Sequence, residues 1–146
     1  MGRIIDTAKY ILEKQGTLST MKLQKLCYYS QAWSLVWDDA PLFDEDFEAW
    51  SNGPVCRELY DIHHGRFSVD AETEGLRAGD SSTLTRNQKD TIDRVLEFYG
   101  SRDAQWLSRL THLERPWKEA RGGVPDGEYC ASVISKESMG FYYGSL

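Results

Sequence analysis

Residues 20–37 (TMKLQKLCYYSQAWSLVW) constrain this chain more than any other stretch. At 3.6 residues per turn, Leu23, Leu26, Cys27, Ser30, Trp33 and Trp37 fall on one stripe, and Met21, Tyr28, Ala32 and Leu35 on a second. A surface helix carries one apolar stripe, whereas a helix apolar most of the way round belongs in the middle of a domain. Only Lys22, Gln24, Lys25, Gln31 and Ser34 leave a narrow polar strip. The stretch predicts a central buried helix, with its polar strip as the first candidate functional surface.

The neighbouring segments supply the cover. Ile4, Ile5, Ala8, Ile11 and Leu12 have helical spacing, and Gln15–Gly16 closes that helix with glycine as its left-handed cap. Ser19 or Thr20 can cap the central helix. Phe47, Ala49 and Ser51 alternate with Glu48, Trp50 and Asn52, the pattern of a short extended segment or small hairpin near 42–52. Asn52–Gly53 is a turn signal, and Pro54 suits the first position of a third helix, expected from Pro54 to Ile62 and closed by His63–His64–Gly65. Residues 66–84 read as a loop free to move, with one short strand or turn inside it.

Thr85 and Gln88 spell a capping box before a helix carrying Ile92, Val95, Leu96 and Tyr99. Another helix follows from Asp103. Pro116 breaks or kinks it and can open a short helix through Ala120. Cys130–Ile134 reads as extended, and Ser135 can cap a last helix to Tyr143. With 146 residues the expectation is a single domain over 1–146. It is mainly α, a compact bundle of about six helices around 20–37.

Charge and composition narrow the function. The formal net charge is −6, and six acids fall between 38 and 48 with no basic residue from Lys25 to Arg57. Sequence-independent nucleic-acid binding rests on neutralising phosphates, so this balance makes nucleic acid an unfavoured partner. No run of apolar residues is long enough to span a bilayer, and no secretory leader pattern opens the chain, so the cytoplasm is the expected location. Five Trp, eight Tyr and five Phe supply the ring types that anchor protein interfaces.

Convergent chemistry is sparse. Cys27, Cys56 and Cys130 are odd in number and far apart, and none sits with a histidine in a nucleophile signature. His63 and His64 are adjacent, so their side chains diverge on a helix and suit partly exposed helix-end residues better than a zinc pair. No metal, no cofactor and no catalytic residue is expected. Thr111, His112 and Glu114 read as a polar cluster holding the break before Pro116.

Three motifs carry a resemblance. Residues 23–33 (LQKLCYYSQAW), residues 47–55 (FEAWSNGPV) with Glu58–Leu59–Tyr60, and Thr111–His112 with Glu114, Pro116 and Trp117 are similar to the SocA-like antitoxin, or Panacea, domain family, including phage-associated GepA-like proteins. Phe141–Tyr142–Tyr143 resembles the family's C-terminal end, so that the likeness covers nearly the whole chain apart from the 66–84 loop. Cys27 departs from the family's usual aliphatic residue, which affects packing. No separate DNA-binding domain is attached, so autoregulation of transcription is not expected of this chain.

The resemblance implies a non-enzymatic antitoxin that neutralises a cognate toxin by direct binding. Such toxins are usually encoded by an adjacent gene, and some relatives occur in prophages. One family member delivers its toxin to an ATP-dependent protease. On this reading the partner surface is expected at Lys22, Lys25, Tyr28, Gln31, Trp50, Asn52, Arg57 and Tyr60. Leu23, Leu26, Trp33, Gly53, Pro54, Val55, Thr111, His112, Pro116 and Trp117 are expected to build the fold. Two alternatives stay open: a helix-turn-helix or winged-helix DNA-binding regulator made from the first three helices, and a hydrolase pairing one of the cysteines with a histidine.

Overall fold

The structure, a computed structural model, describes residues 2–146. Among them are seven α-helices: α1 (Ile4–Gln15), α2 (Thr20–Trp37), α3 (Arg57–His63), α4 (Arg86–Tyr99), α5 (Ala104–Leu113), α6 (Arg115–Arg121) and α7 (Lys136–Gly144). Five short strands accompany them: β1 (Leu18–Ser19), β2 (Phe47–Trp50), β3 (Gly53–Val55), β4 (Ser68–Val69) and β5 (Val133–Ile134). The protein is mainly helical with two small antiparallel sheets, β1–β4 and β3–β2–β5.

Helix α2 begins where the sequence places it. The Ser19 hydroxyl accepts from the Lys22 N–H at 3.1 Å, satisfying one of the four free donors of the first turn. Helices α1, α4, α5 and α7 and strand β3 all pack against α2. Residues 23–32 are buried without interruption. The apolar stripes account for Leu23, Leu26, Cys27 and Ala32 at the centre of one hydrophobic cluster with Ile11, Phe43, Ile92, Leu107 and Trp117. Trp37, at the end of the first stripe, is instead 40% exposed.

Apart from Lys22, which is partly buried, the polar strip is buried as well, and this corrects its reading as an open surface. Gln31 accepts from the Leu42 N–H at 2.7 Å and donates to the Phe43 carbonyl at 2.8 Å. Ser34 donates to the Ala40 carbonyl at 2.6 Å. These side chains replace water for backbone groups of the loop leaving α2, as buried polar groups must.

Pro54 is also placed differently. It lies in β3 opposite Ala49, in a hairpin whose two strands are joined at Ser51–Asn52, and α3 starts only at Arg57. Gly53, at φ +113°, carries the chain out of the turn. β3 is an edge strand, where the missing proline N–H costs no ladder bond.

Residues 66–84 are tied down. Val69 pairs with Leu18 across β4–β1, and Leu76 is fully buried. Lys9 Nζ donates to the Ala71 carbonyl at 2.9 Å, and Asp6 Oδ1 accepts from the Asp80 N–H at 2.9 Å. The low periodicity of this segment concealed contacts with α1 that lie more than sixty residues back in the chain.

Candidate functional site

The three motif segments meet at one junction. Gln24, in the middle of α2, accepts from the Cys56 N–H at 2.9 Å and donates to the Cys56 carbonyl at 3.2 Å. Its amide thus stands in for a neighbouring strand at the turn between β3 and α3. Gln24 Nε2 also lies 3.0 Å from His63 Nε2, so the imidazole is buried and not, as expected, partly exposed. Burial holds the His63 pKa below the usual histidine range.

The distal motif grips the same hairpin from the other side. Trp117 Nε1 donates to the Trp50 carbonyl at 2.8 Å, and Arg121 Nη1 donates to the Ala49 carbonyl at 2.8 Å. His112 stacks on Trp117 with ring centres 4.0 Å apart. Thr111 Oγ1 donates to the Ser108 carbonyl at 2.6 Å, and the Ser108 hydroxyl donates to the Asn52 carbonyl at 2.7 Å. Pro116 sits in the first turn of α6, where a missing N–H removes no helical bond. Leu23, Leu26, Gly53, Pro54 and Val55 are buried within the junction, while Trp33 is half-buried on the far side of α2.

Lys25 lies at the centre of this junction with no solvent exposure, and no group among the described residues reaches its Nζ. Burial lowers its pKa to about 7. A Cβ at Gly53 would fall 2.7 Å from Lys25 Cε and 2.9 Å from Thr111 Oγ1, so glycine is required for space as well as for its dihedral. Lys25, Tyr28 and Gln31 were expected on the partner surface. The structure encloses all three, because neighbouring elements close over residues 23–32 of α2.

Of the remaining expected residues, Trp50, Arg57 and Tyr60 lie together. Trp50 and Tyr60 pack edge to face at 4.9 Å, the Arg57 guanidinium lies 4.9 Å over the Trp50 ring, and Arg57 pairs with Glu48 at 3.5 Å. Asn52 is exposed at the hairpin tip. Lys22 is partly buried on the first turn of α2, with its pKa lowered by that burial against an opposing pull from Asp103. Beside Trp50 and Asn52 a cleft of about 190 Å³ is lined by Met21, Gln24, Ser51, Val55, Tyr60 and His63.

All three cysteines are free and buried. The Cys56 thiol bonds Glu58 at 3.5 Å and burial pushes its pKa up to about 12, while Cys130 bonds Ser132 at 3.5 Å. Among the described residues no helix is long and apolar enough to cross a membrane, and no group of His, Cys, Asp and Glu is arranged to hold a metal ion.

Sequence reasoning missed a groove of about 770 Å³ between the end of α2, α4 and α5. Its one sequence signal is Trp33 and Trp37 at i, i+4, which stack at 5.0 Å.

No curated protein and no solved structure matches the chain. A family model described as Antitoxin SocA-like, Panacea domain matches residues 23–118. That span runs from α2 through the hairpin to α6 and takes in every residue of the junction just described except Arg121, leaving α1, β5 and α7 outside the match. With well over half of its length matched, from the Gln24 clasp to the Trp117 grip, the chain belongs to the SocA-like antitoxin, Panacea-domain family.

Proposed function

We propose that this chain is the antitoxin of a toxin–antitoxin pair and silences a cognate protein toxin by binding it directly. The family match over residues 23–118 carries the reading. It acts in the cytoplasm as a binding protein, without cofactor or catalytic step, on a toxin encoded by an adjacent gene.

The contact falls on the Trp50–Tyr60 face, with Lys22, Asn52 and Arg57 around it. Tryptophan, tyrosine and arginine are the residue types that dominate interface energetics. Here Trp50 sits on a hairpin held by Trp117, and Arg57 and Tyr60 on α3, whose start is held by Gln24, so little conformational freedom is lost on docking. Delivery of the toxin to an ATP-dependent protease is a variant of this mechanism.

The test deletes this gene while the neighbouring gene remains. Growth arrest, relieved by supplying the chain in trans, is the expected result, and a neighbour that is harmless when expressed alone sinks the reading. Trp50→Ala with Arg57→Ala is expected to weaken co-purification with the neighbour's product by about tenfold or more. Toxin that persists but is inactive indicates neutralisation; toxin that disappears indicates protease delivery.

A further inference from the structure

The second surface is the groove between α2, α4 and α5, on the opposite flank of α5 from the hairpin. Its walls are aromatic: Trp33, Trp37, Phe98, Tyr99 and Trp106 line it. Phe98 is 61% exposed and Trp37 40%, an unusual outlay of large apolar surface on one face.

Glu114 also lines this groove, although the residue is only 7% exposed. The Tyr29 and Tyr143 hydroxyls both donate to its Oε1, each at 2.7 Å. Among the described residues no donor reaches Oε2 and no cation pairs with the carboxylate. Burial raises the Glu114 pKa, and a positive charge placed beside Oε2 is what holds such a carboxylate ionised.

The charges at the rim fit the same picture. Glu97 and Arg94 line the groove, and the guanidinium groups of Arg94 and Arg102 are already engaged over the Trp37 and Trp106 rings, at 4.3 and 4.4 Å. Both arginines lie on ring faces and neither pairs with an acid of the groove, which leaves the Glu97 and Glu114 carboxylates without an ion-pair partner among the described residues. Aromatic walls around an acidic floor are the chemistry that selects a cation on an aliphatic stem.

We propose that this groove receives a lysine or arginine side chain of the partner protein, its stem against Trp33 and Trp106 and its charged head on Glu114 Oε2. The proposal rests on the antitoxin reading and adds a second contact to it, one helix away from the Trp50–Tyr60 face. Glu114 belongs to the distal motif, yet its position next to Pro116 suggests only a helix break; the groove gives it a binding role.

The test follows the indole N–H resonances of the full chain during titration with acetyl-Leu-Arg-Leu-amide and with acetyl-Leu-Glu-Leu-amide. The arginine peptide is expected to shift Trp33 and Trp106 saturably and the glutamate peptide to leave them in place. Glu114→Gln is expected to weaken the arginine peptide on the order of tenfold. Phe98→Ala, at an exposed position where folding is not at stake, is expected to weaken it several-fold.

Absence of a saturable shift, equal binding of both peptides, or undiminished binding by Glu114→Gln and Phe98→Ala overturns the proposal. In cells, a wild-type chain that fails to silence the neighbouring gene's product overturns the antitoxin reading and this proposal together. A wild-type chain that silences it beside groove variants that do so equally well overturns the groove alone.

Discussion

Gln24 and Cys56 are joined by a pair of hydrogen bonds, the side-chain amide of one meeting both backbone groups of the other at 2.9 and 3.2 Å. Both residues are buried, so water cannot substitute if the amide is lost. Gln24→Leu leaves the Cys56 N–H and carbonyl without partners and is expected to destabilise the fold by about 2–4 kcal/mol, read by urea denaturation. A loss under about 0.5 kcal/mol would mean that the clasp is not holding the β3–α3 turn.

Gly53 offers a comparison with Gly16. Both have positive φ, +113° and +78°, but a Cβ at Gly16 meets nothing within 4 Å, whereas at Gly53 it meets Lys25 and Thr111. Gly16→Ala is expected to cost about 1 kcal/mol from backbone strain alone, and Gly53→Ala about 2–3 kcal/mol. In a Lys25→Ala background the Gly53→Ala penalty should shrink; additive costs in that cycle would exclude the steric clash.

Lys25 makes stability depend on pH. Its folded pKa of about 7 lies below the ordinary 10.5, so unfolding takes up a proton between those values and stability rises with pH through that window. Below about pH 7 the folded state must carry a buried charge. His63 and His112, both lowered first by burial, add the same sign of dependence around and below neutrality. Melting curves between pH 7.5 and 9, a choice of conditions that precedes tyrosine ionisation in the unfolded chain, are expected to show a contribution approaching about 1.4 kcal/mol per pH unit, absent from Lys25→Met. Identical slopes for the two proteins would remove Lys25 as the cause.

Thiol labelling should separate the cysteines. Burial raises the Cys27 and Cys56 pKa values, whereas the bonds from Ser132 lower that of Cys130. An aromatic disulfide reagent at pH 8 is expected to react first at Cys130 in the native protein and to reach Cys27 and Cys56 only after denaturation. Native labelling of Cys56 ahead of Cys130 would contradict this order, and Cys130→Ser provides the control.

Much of the framework was legible because its causes are local. The Ser19, Thr85 and Ser135 caps each act within three residues, and all three side chains accept the backbone bond that the sequence implied. The stripes of α2 follow from helical periodicity, and the turn at Asn52–Gly53 from its residue types. Pro54 was misread because a proline after a turn signal suits either a helix start or an edge strand. Only the pairing with Ala49 decides between them.

By itself the sequence determined a central apolar helix, a set of capped helices around it and the motifs of the antitoxin family. These depend on neighbours a few positions away. The tertiary structure alone decided what became of the polar groups. Gln24 finds Cys56 across 32 residues, Tyr29 finds Glu114 across 85, and Lys25 finds nothing. A polar side chain on a helix carries no mark of whether water or a distant backbone will satisfy it. That is settled only when the remaining elements close over the helix and leave each donor and acceptor with whatever they bring.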